Sequence, residues 1–391
     1  MNTSAIKLQS EQESTPNQSH IVRTQLAVAT LFLVLGFNFG TWASRIPALK
    51  FQLHLSTAEV GFLLLASGLG AVFSFPITAS ILQKFGSITA CLVSGALIPL
   101  VLVALAFAPN YPTAIAVMLL EGVLASLLNV GMNAQGVLTE VAGKQAIMSR
   151  LHAVFSLGGL AAALVASGMT FLSEQIWVHF LLAATALWGA VAISVPHLLA
   201  DQPQAKTDGL RFALPKGAAL WLGLIALCGT IAEGSMSDWS ALYLKEMTGA
   251  SAQLAPLGIA CFSITMFIAR WFGDSWRVQL GARQLLLGGG LIAGGGLLLA
   301  LLVGGLIPAF FGFALVGLGL AAVSPCVYAA AAKHGAVALA AVTTMGSIGA
   351  LMGPPLIGFV AHESNLAWGM ALVALASLMI ALLTPRLNRN Q

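Results

Sequence analysis

Two short stretches of this sequence place acids and amides inside runs apolar enough to lie in lipid. Residues 119–136 read LLEGVLASLLNVGMNAQG, and residues 230–244 read TIAEGSMSDWSALYL. A charged side chain at mid-membrane costs about 2.5–3.5 kcal/mol on insertion scales, so one that stays there faces a protein interior or a water-filled cavity. Glu121 falls about ten residues into its run, roughly 15 Å along a helix. A carboxyl at that depth is a candidate proton carrier, or an acid hydrogen-bonded to a neighbouring helix. Asn129 and Asn133 are four apart and share a helix face. Their amides could bind hydroxyl groups of a solute, or lock onto an adjacent helix.

In the second stretch Glu233 and Asp238 are separated by about 140° around a regular helix. They are expected to converge only if Gly234 breaks that helix. Glu233 is the second proton candidate, and Asp238, nearer the far end, reads as interfacial or gating. Trp239 could stack on a solute or sit in an aromatic belt. Arg270 and Asp274, four apart at the end of another apolar run, are expected to form a gating ion pair. Arg45 and Glu59 flank a short loop and are expected to pair or to line an entrance. His152 reads as a packing histidine, and Gln135 is given no role.

The composition explains why such residues stand out. Hydrophobic residues make up 58% of the 391 and charged residues only 8%, with a mean hydropathy of +0.93. A soluble domain carries about 25% charge, so most of this surface is built for lipid. The net charge of +4 therefore implies no nucleic-acid partner. Apolar runs near 24–44, 57–82, 87–108, 112–139, 147–172, 175–196, 217–243, 254–275, 284–304, 306–332, 336–361 and 365–384 give twelve spans. With both termini on one side, that side collects all but three of the 17 Lys and Arg residues; Arg45, Lys50 and Lys245 alone fall opposite. The asymmetry predicts cytoplasmic termini in a bacterial inner membrane. The four cysteines lie in apolar runs without metal-ligand spacing, so no metal is expected.

The polar stretch ADQPQAKTDGLRFALPK at 200–216 divides the chain. The expected layout is a polar tail at 1–22, a six-helix half at 23–198, a linker at 199–216, a second half at 217–385 and a tail at 386–391. The halves look repeated: KFGS follows the second span and GDSWRVQLGAR the eighth. The first 20 residues are polar and read as a disordered tail, not a signal peptide.

NVGMNAQGVLTE at 129–140, SRLHAVFSLGGL at 149–160, TIAEGSMSDWSALYL at 230–244 and GPPLIG at 353–358 together resemble the major facilitator superfamily. Within it they are similar to the bacterial branch of YbjJ-type and fucose-permease-like transporters. The resemblance implies an all-α membrane protein of twelve transmembrane helices in two pseudo-symmetric halves. It also implies a membrane carboxylate at the position of Asn129 and an acid near Asn38 in GFNFGTWASR, where this chain has amides. Glu121, two turns before Asn129, is the candidate replacement. The family's loop acid between the second and third spans is here Gln83, whereas the second-half copy keeps Asp274 and Arg283.

No G-x-x-x-x-G-K-[ST], H-E-x-x-H or G-x-S-x-G occurs, so neither ATP-driven transport nor the common hydrolase chemistries have residues behind them. The expectation is a non-enzymatic, cofactor-free, monomeric transporter moving a small polar solute, sugar-like by preference, with protons. Asn38, Asn129, Asn133 and Trp239 are its substrate residues, Glu121 and Glu233 its proton residues, and Arg270, Asp274 and Asp238 its gates. Proton-driven efflux of amphipathic or cationic compounds is one alternative. A sensor or scaffold without flux is the other.

Overall fold

The computed structural model describes residues 18–201 and 217–387. Among them the chain is helical throughout: α1 (Gln18–Ser44), a short α2 (Ile46–Gln52), α3 (Thr57–Ala106), α4 (Tyr111–Gly143), α5 (Met148–Leu172) and α6 (Ile176–Ser194) form the first half. The second half runs α7 (Ala218–Met247), α8 (Leu257–Leu280), α9 (Ala282–Val303), α10 (Leu306–Leu320), α11 (Val323–Lys333), α12 (Ala336–Glu363) and α13 (Leu366–Leu383). The 50-residue α3 is two spans meeting at Gly86, whose φ of 79° and ψ of 174° reverse the chain between them. α10 and α11 together make one span. Twelve spans result. Large apolar side chains such as Phe171, Leu302, Phe311 and Leu382 stay exposed, as befits helices whose solvent is lipid.

The expected repeat is visible in the backbone. Gly281, between the eighth and ninth spans, has φ 80° and ψ 152°, nearly the conformation of Gly86 at the equivalent place. Both positions lie where a side chain is strained. Contacts between the halves also come in a symmetric pair, α5 against α8 and α3 against α12, that is, span five on eight and span two on eleven.

Two expected boundaries move. α1 begins at Gln18, so the polar residues 18–22 continue the helix past the apolar run. At the linker, Leu199 and Asp201 belong to the first half. The Asp201 carboxylate accepts from the Ser87 backbone N–H at 2.7 Å, capping the third span across the fold. Gln135 donates to the Ser87 hydroxyl at 2.7 Å and to the Leu199 carbonyl at 2.8 Å, and its own carbonyl accepts from the Leu199 N–H at 3.0 Å. A fully buried glutamine without an assigned role is thus the centre of a clasp. Residues 1–17, 202–216 and 388–391 of the expected layout lie outside the described residues.

Asp201→Ala is expected to lower stability by about 1 kcal/mol, the usual worth of a lost cap, and Asp201→Asn, which keeps an acceptor, by less. Thermal unfolding of the purified variants in detergent checks the order.

Candidate functional site

A central cavity of about 820 Å³ lies between the halves. It is lined by α1, the first part of α3, α4 and α5 from one side, and by α7, α8, α11 with the turn before it, and α12 from the other. Spans three, six, nine and twelve stay outside it, which is again a symmetric division. Far from the termini the halves are joined. Lys50 pairs with Glu246, the Ser167 hydroxyl donates to the Gln253 carbonyl at 2.7 Å, and α3 and α12 nearly touch at Gly61 and Gly358. At the end bearing the termini, Met148, Ser149, Gly273 and Arg277 are cavity walls. Asn129 and His152, both lining residues, are solvent-exposed. The cavity therefore opens toward the termini.

Glu121 is buried and sits one layer behind the wall. Its Oε1 accepts from Asn38 Nδ2 at 3.1 Å and its Oε2 from the Ser67 hydroxyl at 2.7 Å. Ser67 and Trp42 line the cavity, and the Trp42 indole N–H, which has no acceptor of its own, is the next donor beside the carboxyl. The backbone sets this geometry. A Cβ on Gly122 would run into the Ser67 carbonyl, and one on Gly70 into the Leu119 carbonyl. α3 and α4 thus lie as close as two helices can, and the Ser67 hydroxyl reaches an acid on the opposite helix.

The α7 wall needs no broken helix. Thr230, Glu233, Gly234, Ser237 and Asp238 all line the cavity on one continuous helix. Their spacing of 0, 3, 4, 7 and 8 covers a stripe about 140° wide, with the two acids at its edges and about 7.5 Å apart along the axis. Gly234 lies between them, and a Cβ there would meet nothing. Its contribution is open space.

Arg270 differs from expectation in its partner. Its Nη2 bonds Glu233 Oε1 at 2.7 Å, and its Nη1 donates to Ser156 of the other half at 3.1 Å. Arg270 points across the bundle to α7, and the Asp274 side chain of the expected Arg270–Asp274 pair lies outside what is described. Among the substrate candidates only Asn129 lines the cavity. Asn38 is fully buried and serves Glu121, and Asn133 turns its amide back onto the Asn129 carbonyl and side chain at 2.7 and 2.9 Å. Trp239 is fully buried in the core beside the cavity-facing stripe. Arg45 and Glu59 do not meet: Arg45 donates to the Glu174 carbonyl at 2.8 Å and Glu59 closes a capping box with Ser56. His152 lies on the cavity wall, edge-on to Phe32. Ser67, Trp42 and Ser156 were not singled out in the sequence, since a lone serine or tryptophan in an apolar run carries no signal.

Residues 26–337 match the sequence profile of the Major Facilitator Superfamily. The chain belongs to that superfamily. An uncharacterized MFS-type transporter of Yersinia pestis is 34% identical over 382 residues, covering 95% of this chain and 96% of the relative. An uncharacterized transporter of Sinorhizobium fredii is 31% identical over 370 residues, with 93% and 97% covered. Membrane protein MosC of Rhizobium meliloti is 29% identical over 375 residues, with 94% and 91% covered. Among solved structures, the nucleoside transporter NupG superposes with a TM-score of 0.73 at 15% identity, over 94% of this chain and 100% of NupG. A bacterial homologue of the human lysosomal transporter Spinster, inward-facing and unoccupied, gives 0.71 at 14% identity, over 94% and 97%. These two likenesses establish a shared major facilitator fold. Family and relatives together make this a multi-pass membrane transporter that takes small solutes through the bilayer.

Gly122→Ala is expected to cost about 1–3 kcal/mol through backbone overpacking, whereas Gly234→Ala, whose methyl enters open space, is expected to leave the melting temperature near that of wild type. Unfolding scans of the two variants in one detergent decide it.

Proposed function

We propose that this protein is a secondary active transporter that moves a small polar solute by alternating access, driven by protons. Glu121 is the coupling residue. The observation that carries the reading is the placement of this acid: buried, held by donors from α1 and α3, and separated from the cavity only by the wall residues Ser67 and Trp42. Such an acid can exchange a proton with cavity water through Ser67 without itself contacting solute. Glu233, bound to Arg270, is the second titratable group on the path. Its bond to Arg270 and the reach of Arg270 to Ser156 suit a link that is remade when the halves rock.

The wall supplies partners for hydroxyl groups: the Asn129 amide and the hydroxyls of Ser126, Ser237, Ser263, Ser324 and Thr230, set among Phe39, Phe155, Phe262 and Tyr328. Polar groups on an otherwise largely apolar wall suit a compact hydroxylated solute of sugar-like size. Asn129 remains the substrate residue of the original amide set. The asymmetry of basic residues supports a bacterial inner membrane with cytoplasmic termini, and the cavity then opens to the cytoplasm. The chain is taken to act as a monomer, since one copy encloses the whole cavity.

In proteoliposomes carrying an internal pH dye, the transported solute is expected to drive a pH change that Glu121→Gln abolishes. A Gln variant that moves protons like wild type would transfer coupling to Glu233.

A further inference from the structure

The three cavity-side acids are treated very differently by their surroundings. Glu121 has a neutral donor for each oxygen. Glu233 has a guanidinium. Asp238 makes no hydrogen bond and no ion pair among the described residues, yet it lines the cavity at its closed end. Arg270, the cation on the adjoining wall, is committed to Glu233 and Ser156. Glu121 lies within electrostatic reach of Asp238, which places two acids near each other with no cation between them.

An unpaired carboxylate away from bulk water is strongly unfavourable unless a positive charge or donors reach it. Here the side that is open is the cavity. Trp42 lies at the same end, its ring on the cavity wall and its buried indole N–H beside the Glu121 carboxyl. An acceptor-only carboxylate thus faces the cavity beside an aromatic wall. The complementary solute presents a cationic donor to that carboxylate. An ammonium group offers three N–H donors and a full charge, and the aromatic side chains at this depth, Trp42 and Phe39 among them, accept a cation on their faces.

We infer that Asp238 is a solute-binding carboxylate and that the solute carries a protonated amine beside its hydroxyl groups. The inference rests on the transport reading above and narrows its substrate class. Asp238 moves from a gate at the outer end to the floor of the binding site. The amine binds there only while the cavity is open, and its charge is then felt at Glu121.

Equilibrium binding to the purified full-length protein in detergent tests this without requiring flux. The probes are ethanolamine, serinol and 2-amino-2-deoxyglucose, each paired with its N-acetylated, uncharged counterpart, and titrated by calorimetry. At least one amine is expected to bind at least about tenfold more tightly than its neutral partner, as loss of a charge-assisted bond implies. Asp238→Asn is expected to remove that preference and Asp238→Glu to retain part of it, with unfolding temperatures confirming that both variants fold. Equal binding of both members of every pair, absence of binding included, overturns the inference, as does an Asn variant that keeps the preference. Amine-selective binding without any proton-linked flux would retain it and sink the transport reading. Proton-linked flux of neutral solutes with no amine preference would do the reverse.

Discussion

The first half of this molecule depends on keeping one carboxyl, that of Glu121, inside the membrane's thickness. A carboxylate there is tolerated only with donors fixed around it. Two helices supply them, Asn38 from α1 and Ser67 from α3. Neither side chain is long, so the helices themselves must come close. Glycines at the crossings make that possible: Gly122 and Gly70 where α3 meets α4, and Gly36 and Gly158 where α1 meets α5. At each of them an added Cβ would strike the neighbouring backbone, so the approach is limited by main chain and not by side-chain packing. The bundle around Glu121 is correspondingly stiff, and it suits a half that rocks as a body instead of deforming.

The clasp at Gln135 extends the same principle to the end bearing the termini. The third span starts at a left-handed glycine, and its first N–H would be unsatisfied in an apolar setting. Asp201 meets it from the end of the sixth span, and Gln135 ties the sixth span to the fourth and third. Three spans are thereby held by one amide and one carboxylate. In the second half the equivalent turn at Gly281 keeps the backbone shape, so the main-chain conformation is repeated between the halves.

Much of this architecture was legible in the sequence, for a physical reason. Span number and the positions of the turns follow from hydropathy, which is a sum over many residues. The site was legible only in its ingredients. Each helical residue turns the chain by about 100°, so a neighbour of a cavity residue points elsewhere: Gly122 faces the cavity and Glu121 does not, Asp238 does and Trp239 does not. Partner choice was equally hidden. Arg270 has an acid four residues away in sequence, which local spacing favours, yet it bonds Glu233 on another helix. The continuous α7 taught a similar lesson, because a cavity wide enough to see a 140° stripe removes any need for a helix break. Gln135 and Ser67 gave no signal, since their partners lie 48 or more residues away.

The arrangement separates two tasks across the cavity. The proposed coupling acid belongs to the first half and is shielded by Ser67; the proposed solute acid belongs to the second half and is bare. They share an electrostatic environment without sharing a ligand. Thermodynamic linkage then makes their effects reciprocal: whatever factor a proton at Glu121 imposes on solute affinity at Asp238, the solute imposes on proton affinity at Glu121. A bound cation and a bound proton are both positive charges brought to one acidic pair, so the two compete through the field between them. On this reading, coupling by charge alone favours exchange of a proton for an amine. Joint movement in one direction would require the conformational equilibrium of the halves to outweigh that competition. Direction of transport thus becomes a question of whether the field between Glu121 and Asp238 or the contacts between α3 and α12 and between α5 and α8 contribute the larger coupling free energy.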